Sequence, residues 1–341
     1  MTLKRQVIFP THSDTVTCDD VSHSFTNIGI LTGYRPSGKS WSYYLRSIFH
    51  LHNETFNVWT HLIGMLFLAC LTTYHGITTV YDEPGVTSSI WLHGICCILI
   101  QVMSTLTHLL RSKSRMVNEC VYFFDYSGIS FANFGTHVLL FHHCYDRRWI
   151  NLLGPHALIF SVVISASVNA AMCYCRAIVK PNYTNCYKIF NLVPNLVSLM
   201  FGIGPLVARI NFPDATAAQL PDQNLESFVC RLLHLSNLLF ITTGSFYGSH
   251  IPERFSPGSF DIFGHSHMMV HIFITATFAV QQIAAYYDIP VQYVTKDMRE
   301  TISSYGSIWF YFSILVVLNS AIVVHCITIV LRKEKKLAKS M

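Results

Sequence analysis

Three histidines stand at the start of an apolar stretch, in the segment FDIFGHSHMMVH that runs from Phe260 to His271. His267 and His271 are four residues apart, so on an α-helix both imidazoles project from the same face. Two ring nitrogens at this spacing can bind one metal ion. His265 points to another side of the helix, and we expect it to be a hydrogen-bonding or interfacial residue.

Two earlier apolar segments can supply a third ligand and a carboxylate. His108 ends the segment STLTHLL, and Asp125 lies within CVYFFDYSGIS. Three neutral imidazoles with an open fourth position form a catalytic type of zinc site, in which the bound water becomes acidic. We expect Asp125 to accept a hydrogen bond from that water, and Ser104 to orient the water or a substrate oxygen. The alternatives are a polar network without metal and, for Ser104, a hydrogen bond within its own helix.

The composition places these residues in a membrane protein. Hydrophobic residues make up 51% of the 341 positions and charged residues only 12%, against roughly 25% charged residues in soluble domains. An ionisable residue such as Asp125 is costly in hydrocarbon, so it marks a functional site there. The eleven cysteines include no CxxC pair, which predicts neither a disulfide framework nor a thiolate zinc site.

Eight apolar segments are each close to the roughly 20 residues that cross about 30 Å of hydrocarbon. They lie at about 58–80, 89–110, 120–142, 150–172, 186–209, 228–248, 264–287 and 305–331, and the third and seventh are the most polar. The predicted fold class is therefore all-α, a polytopic membrane helix bundle. We expect the bundle to occupy residues 58–331, between an N-terminal segment at 1–57 and a basic tail at 332–341.

The N-terminal segment contains an apolar stripe at helical spacing. Its members are Trp41, Tyr44, Leu45, Ile48 and Phe49. The stripe predicts an amphipathic helix over about 41–57. Such a helix could lie in the membrane interface or pack beneath the bundle, and the sequence does not separate these alternatives.

The distribution of Lys and Arg predicts the orientation. With the N-terminus in the cytosol, 17 of these residues fall inside and 5 outside, as the positive-inside rule requires. The same orientation puts His108, Asp125, His267 and His271 in one layer near the inner face. An even number of spans puts the tail in the cytosol, where it is an anchor or meets anionic lipid. The net charge of +5 thus reflects topology and gives no indication of nucleic-acid binding.

The other histidines form no second cluster of comparable promise. Three of them, His137, His142 and His143, lie at the outer end of the third span. Single histidines within spans are each expected to hydrogen-bond to a neighbour; these are His61, His93, His156 and His234.

Four motifs, in order along the chain, resemble those of the progestin and adipoQ receptor (PAQR) family. They are HNETFNVWTH at 52–61, S-x-x-x-H at 104–108, FDYSGIS at 124–130 and PERFSPGSFDIFGHSHMMVH at 252–271. The resemblance covers the chain from about residue 30 to the end of the seventh span. It implies a seven-span core, to which the apolar segment at about 305–331 adds an eighth C-terminal span. The segment ILTGYRP at 30–36, that eighth span and the short basic tail look more like the membrane progestin receptor branch than the adiponectin receptor branch.

The resemblance also implies roles for particular residues. The family's zinc ligands fall on three histidines, which are His108, His267 and His271. Asp125 falls on the carboxylate that holds the zinc-bound water, and Ser104 falls on the serine of the S-x-x-x-H motif. Glu54 and Asn57 belong to the first motif. Glu54 is expected either to brace the inner end through hydrogen bonds or to lie solvated among lipid headgroups.

Two functions remain open at this level. The resemblance favours a plasma-membrane steroid (progestin) receptor that binds a lipophilic ligand among its spans and signals to the cytosolic face through heterotrimeric G proteins. The site chemistry equally supports a zinc-dependent hydrolase of lipid amides such as ceramide, and the zinc constellation is similar to that of alkaline ceramidases. We favour the receptor, with hydrolysis as a step that signalling could include. No residue is identified as steroid-binding, and the absence of repeats disfavours transport.

Overall fold

The chain folds as a bundle of long helices. The computed structural model describes residues 14–23, 25–79, 85–145, 147–179, 185–212, 222–291 and 294–340. Within these ranges no strand forms, and the one β pairing is an isolated bridge between Val16 and Tyr34. The all-α class is confirmed.

Eleven α-helices are found in the described ranges. They are α1 (Trp41–Arg46), α2 (Thr55–Thr78), α3 (Val86–Leu110), α4 (Arg115–His143), α5 (Arg147–Leu153), α6 (Ala157–Tyr174), α7 (Asn185–Asn211), α8 (Gln223–Ser249), α9 (Ser266–Val291), α10 (Lys296–Ser304) and α11 (Ile308–Ser340). A π-helical turn, Cys175–Val179, follows α6.

Seven helices in the described part of the chain are long and apolar enough to cross a membrane: α2, α3, α5 with α6, α7, α8, α9 and α11. The predicted third span, α4, has 29 residues but is more polar, since its first turns carry Asn118, Glu119 and Asp125. It lies in the middle of the bundle, against α3, α6, α9 and α11. Its polar side chains are therefore compatible with membrane depth, because protein rather than lipid surrounds the helix. The polytopic helical bundle is confirmed.

Small residues allow the central helices to approach closely. A Cβ atom on Gly94 of α3 would lie 2.2 Å from the Thr72 side chain of α2, and one on Gly135 of α4 would lie 2.7 Å from Cys96 Cβ of α3. Small residues at such contacts are the usual basis of helix packing in membranes, where the lipid supplies no hydrophobic driving force between helices.

A buried ionic cluster joins α7, α8 and α9. Arg209 of α7 donates to Glu226 Oε2 of α8 at 2.5 Å and to Asp288 Oδ1 of α9 at 2.8 Å. A further hydrogen bond runs from Arg209 Nη1 to the Cys144 carbonyl at 3.2 Å. Because each charged group is paired, the cluster can exist inside the bundle.

The helix predicted over about 41–57 is shorter in the structure. It ends at Arg46, a 3₁₀ turn follows, and the backbone at His50 is extended with φ −115° and ψ 149°. The reason is local: the Ser47 hydroxyl donates to the Tyr44 carbonyl and accepts from Arg35, and such bonds compete with the helix. Tyr44 of the predicted stripe is fully buried, whereas Phe49 is 79% exposed.

The last helix, α11, is unusually long at 33 residues. It packs against α6 and α4. Near its C-terminal end, Lys333 Nζ donates to the carbonyls of Ala177 and Ile178, at 2.8 and 3.2 Å. The basic end of α11 is therefore attached to the π-helical turn that follows α6.

Candidate metal centre

Four histidines from three helices meet at one end of the bundle, where α2 and α9 begin and α3 ends. We call this the histidine end. His61 lies in the second turn of α2, His108 in the last turn of α3, and His267 and His271 in the first two turns of α9. Because α3 runs antiparallel to α2 and α9, the end of α3 lies at the same depth as the beginnings of the other two helices.

The three histidines that the sequence selects do come together. His267 Nε2 lies 3.3 Å from His108 Nε2. The ring centroids of His108 and His271 are 4.9 Å apart, and those of His267 and His271 are 4.5 Å apart. His61, which the sequence does not select, lies with its ring centroid 3.9 Å from that of His271.

Hydrogen bonds donated by Nδ1 orient two of these rings. His108 Nδ1 donates to Glu54 Oε2 at 2.7 Å, since an ionised carboxylate can only accept. His271 Nδ1 lies 3.2 Å from Thr60 Oγ1, whose own hydrogen is directed to the Phe56 carbonyl. In both rings Nδ1 thus carries the proton and Nε2 is left with a lone pair, which is the tautomer that metal-binding histidines adopt with such partners.

Glu54 lies in the protein interior and not, as one alternative had it, in solvent among headgroups. It is 1% exposed, accepts from Arg111 Nη1 at 2.9 Å and from Asn57 Nδ2 at 2.7 Å. Burial alone would raise the pKa of this carboxyl, but Arg111 and His108 hold it well below its usual range. Glu54 is therefore a charged acceptor that orients His108, and Asn57 supports it.

The nitrogen positions fit a metal ion. The lone pair on His108 Nε2 faces His267 Nε2 at 3.3 Å, so this pair of nitrogens either shares a hydrogen bond or binds one ion. Tetrahedral coordination with bonds of about 2.0–2.1 Å separates neighbouring ligand atoms by about 3.3–3.4 Å. His61, His108 and His271 also each offer a ring nitrogen within 4.8 Å of the others. Imidazole donors suit zinc, copper, iron and nickel.

Asp125 and Ser104 lie beside the histidines. Asp125 of α4 lies beside the Ser104 hydroxyl and His108. Ser104 is 5% exposed, whereas Asp125 and His267 are partly exposed. We call the side of the centre that carries Asp125 and His267 its accessible side.

His265 does not join the other imidazoles. It is buried, and its Nδ1 accepts the backbone N–H of Met268 at 3.3 Å. Nearby, Glu253 Oε2 accepts the N–H of Ser266 at 2.7 Å. Both side chains satisfy backbone donors at the start of α9, and so they fix the first turn that carries His267.

The sequence analysis did not select Arg35 and Gln101, which join α3 to neighbouring parts of the chain. Arg35, 2% exposed, donates from Nη2 to the His108 carbonyl at 2.6 Å and from Nη1 to the Leu109 carbonyl at 2.7 Å. These bonds satisfy carbonyls that the end of α3 leaves free. Gln101 contacts His61, and one signal could have found it: it lies seven residues before His108, on the same face of α3.

Comparisons with known proteins identify the family. The chain matches the family described as Haemolysin-III related over residues 49–282, which include all four histidines. The membrane progestin receptor beta of Homo sapiens is 30% identical over 264 residues, which is 76% of this chain and 72% of that receptor. The membrane progestin receptor alpha-B of Danio rerio is 28% identical over 283 residues, which is 80% of this chain and 76% of that receptor. This chain therefore belongs to the haemolysin-III-related (PAQR) family of multi-pass membrane proteins, and the relatives that it resembles are membrane progestin receptors.

Proposed function

We propose that this chain is a steroid receptor of the membrane progestin receptor type, with a zinc ion at the histidine end. The observation that supports the receptor role most is the extent of the likeness. The human receptors beta and alpha are 30% and 28% identical to the chain, over 76% and 72% of its length. Ligands named for those relatives are lipophilic, and a bundle within lipid is accessible to such molecules from the bilayer.

Zinc is the ion that we assign to the centre. The donors are imidazoles, and Glu54 and Thr60 hold two of them, His108 and His271, in one tautomer; zinc binds such nitrogens in tetrahedral sites. When bound, the ion supplies a fixed positive charge and Lewis acidity. His108 lies on α3, and His267 and His271 lie on α9. An ion that all three bind would therefore link the two helices at this end.

The ligand would approach the centre from its accessible side. Asp125 and His267 are the partly exposed members there. Asp125 presents a carboxylate and Ser104 a hydroxyl, which can exchange hydrogen bonds with a polar group on an otherwise apolar molecule. A steroid with a hydroxyl or ketone at one end has this combination of a large apolar body and a few polar atoms.

We further propose that both termini are cytosolic and that the histidine end faces the cytosol. The 17 to 5 distribution of Lys and Arg supports this orientation. Arg35 and Arg111 lie at the same end as the histidines, within hydrogen-bonding distance of α3 and Glu54. In this orientation a change at the centre can reach a heterotrimeric G protein directly, at the plasma membrane or another membrane that the protein occupies.

One experiment separates the receptor from the lipid amide hydrolase, which would use the same accessible side. The full chain, purified in detergent, is tested for saturable binding of radiolabelled progesterone and for release of fatty acid from ceramide. His271→Ala is compared with His234→Ala, whose histidine is exposed on α8. Saturable binding that only His271→Ala abolishes, without turnover, supports the proposal. Turnover without steroid binding, or neither activity, contradicts it.

A further inference from the structure

A recess lined by cations lies between the beginning of α4, the π-helical turn after α6 and the C-terminal part of α11. Arg115 comes from α4, Arg176 from the turn and Lys333 from α11. The recess is open to solvent, and about 370 Å³ of space in it is free of protein atoms, its mouth included. Because none of the histidines of the metal centre lines it, the recess is a separate candidate site.

Arg176 forms a fixed wall of this recess. The residue is 8% exposed. Its Nε pairs with Glu119 Oε2 at 2.6 Å, and its Nη2 donates to Asn118 Oδ1 at 2.6 Å. The guanidinium carbon also lies 3.8 Å from the centroid of the Tyr122 ring. These contacts neutralise Glu119 and hold the planar guanidinium in one position.

The other two cations have no carboxylate partner among the described residues, since no ion pair there includes Arg115 or Lys333. The side chain of Arg115 is exposed. Lys333 Nζ donates to the carbonyls of Ala177 and Ile178 at 2.8 and 3.2 Å. An ammonium group has three N–H donors, so one donor of Lys333 remains for a ligand.

The charge around the recess is predominantly positive. Glu334 also lines it, but residues 332–341 contain five Lys and Arg and only this one carboxylate side chain. Side chains of one sign that surround a concave surface concentrate ions of the opposite sign there. The recess is therefore suited to an anion.

The protein surface beside the recess is apolar and exposed. Ile178 is 52% exposed and Leu331 is 43% exposed, and they directly follow Ala177 and Val330, which line the recess. Val324, about two turns earlier in α11, is 63% exposed. Since α11 is long and apolar enough to cross the membrane, these side chains face acyl chains. The recess then lies at the level of the lipid headgroups, where cations follow the apolar part of a span.

We propose that the recess binds the headgroup of an anionic phospholipid that carries a phosphate monoester, as the phosphoinositides do. Phosphate oxygens accept hydrogen bonds from Arg115 and Lys333, and the charge of Arg176 lies behind them. A monoester carries a charge of about −1.5 to −2, which suits several cations better than the single charge of a phosphodiester. Basic pockets between transmembrane helices on the cytosolic side bind such headgroups.

A bound headgroup would contact α4, the turn after α6 and α11 together, and so it would hold α11 against the rest of the bundle. The binding chemistry does not depend on the steroid or on zinc. Only the cytosolic leaflet as the source of the lipid rests on the orientation proposed above.

Native mass spectrometry of the full chain, released from detergent micelles, tests the assignment. The chain is titrated with phosphatidylinositol bisphosphate, phosphatidylserine and phosphatidylcholine. We expect one bisphosphate lipid per chain to bind in preference to the other two lipids. Arg115→Gln and Lys333→Gln should each weaken its binding by about tenfold, because each variant loses a hydrogen bond to a charged group.

Two variants control for the loss of a positive charge. Lys335→Gln alters an exposed lysine of the same tail, which lies two positions after Lys333 and about 200° around the helix from it. Arg254→Gln alters an exposed arginine at the same end of the bundle, in the loop before α9. Both should bind the bisphosphate lipid within about twofold of the unaltered chain, because exposed charges outside the recess are screened by salt.

Three results would overturn the proposal. Equal losses in Lys333→Gln and Lys335→Gln would mean that the tail attracts anions without a built site. Equal affinity for phosphatidylserine and the bisphosphate lipid would exclude recognition of a monoester. Soluble inositol trisphosphate that displaces the lipid at equal concentration would identify a free phosphate compound as the ligand. If Lys333→Gln detaches α11 and does not fold, Arg115→Gln decides, since Arg115 forms no ion pair among the described residues.

Discussion

Glu54 Oε2 accepts a hydrogen bond of 2.7 Å from His108 Nδ1, although the two residues are 54 positions apart. The carboxylate precedes the first residue of α2, and the histidine lies in the last turn of α3. Arg111, which follows α3, pairs with the other oxygen of the same carboxylate at 2.9 Å. One buried side chain thus orients a candidate ligand and joins two helix ends.

We expect Glu54→Ala to weaken zinc binding by about 10- to 100-fold, as is typical when a partner of a metal-bound histidine is removed. The loss leaves Arg111 buried without its carboxylate, so the thermal stability should fall as well. A zinc titration against a chelating dye measures the affinity. Glu300→Ala, on the exposed side of α10, is the control, and equal affinities in the two variants would contradict the role of Glu54.

We expect Asp125→Asn to retain zinc and to bind progestin at least tenfold more weakly. Zinc should be retained because the carboxylate lies beside His108 and Ser104 but is not one of the histidine ligands. Steroid binding should weaken because a hydrogen bond to a charged group contributes about 1.5–3 kcal/mol. Zinc content and equilibrium binding of radiolabelled progesterone are measured on the same preparation. Asp297→Asn, exposed on α10, should change neither quantity. Normal steroid affinity in Asp125→Asn would exclude the accessible side as the place of the ligand.

Arg209→Met should destabilise the bundle by about 3–5 kcal/mol, because it leaves the carboxylates of Glu226 and Asp288 buried together without a cation. The melting temperature in detergent checks this. The triple variant Arg209→Met, Glu226→Gln, Asp288→Asn removes all three charges and should be more stable than the single variant. A single variant as stable as the unaltered chain would mean that the cluster contributes little.

Gly94→Ala should destabilise the chain by about 1–3 kcal/mol, as overpacking does. Its new methyl group would lie 2.2 Å from the Thr72 side chain, and α2 and α3 would have to separate. Gly244→Ala is the matched control on α8, since nothing lies within 4 Å of the added Cβ. It should be neutral or stabilising by up to about 1 kcal/mol, because alanine favours helix over glycine. Melting curves of the two variants are compared, and equal losses would contradict close packing at Gly94.

The orientation can be checked by glycosylation in microsomes. A sequon-bearing tag placed after Met341 should stay unmodified if eight crossings leave both termini in the cytosol. Deletion of residues 308–341, which form α11 and its end, should expose the same tag to the lumen and lead to glycan addition. The natural sequon at Asn182, which lies outside the described residues, should also stay unmodified. Glycan on the full-length tagged chain would overturn the proposed orientation.

The sequence predicts most of the helices and the three histidines of the motifs. Apolar runs and charge asymmetry suffice for the spans, and His267 with His271 is recognisable because ligands one turn apart share a face. The sequence also singles out Asp125 of α4, because an ionisable residue stands out in an apolar context, and the structure places it beside Ser104 and His108.

The sequence does not predict contacts that depend on which helices are neighbours. His61 looks like any isolated histidine until α2 is placed beside α9. The pairing of Glu54 with His108, like that of Arg209 with Asp288 across 79 positions, needs the three-dimensional packing of helices distant in sequence. The predicted length of α1 is too great for a local reason. The Ser47 hydroxyl donates to the Tyr44 carbonyl, and the apolar stripe in the sequence does not indicate this hydrogen bond.

The 33 residues of α11 give this helix a length of roughly 50 Å, while the hydrocarbon core is about 30 Å thick. About a dozen residues at its C-terminal end must then continue as a helix beyond the lipid, and this extension carries the cationic side chains from Arg332 to Lys339. Lys333 attaches the extension to the turn after α6. A tilt of α6 within the membrane would therefore move these positive charges along the adjoining aqueous surface.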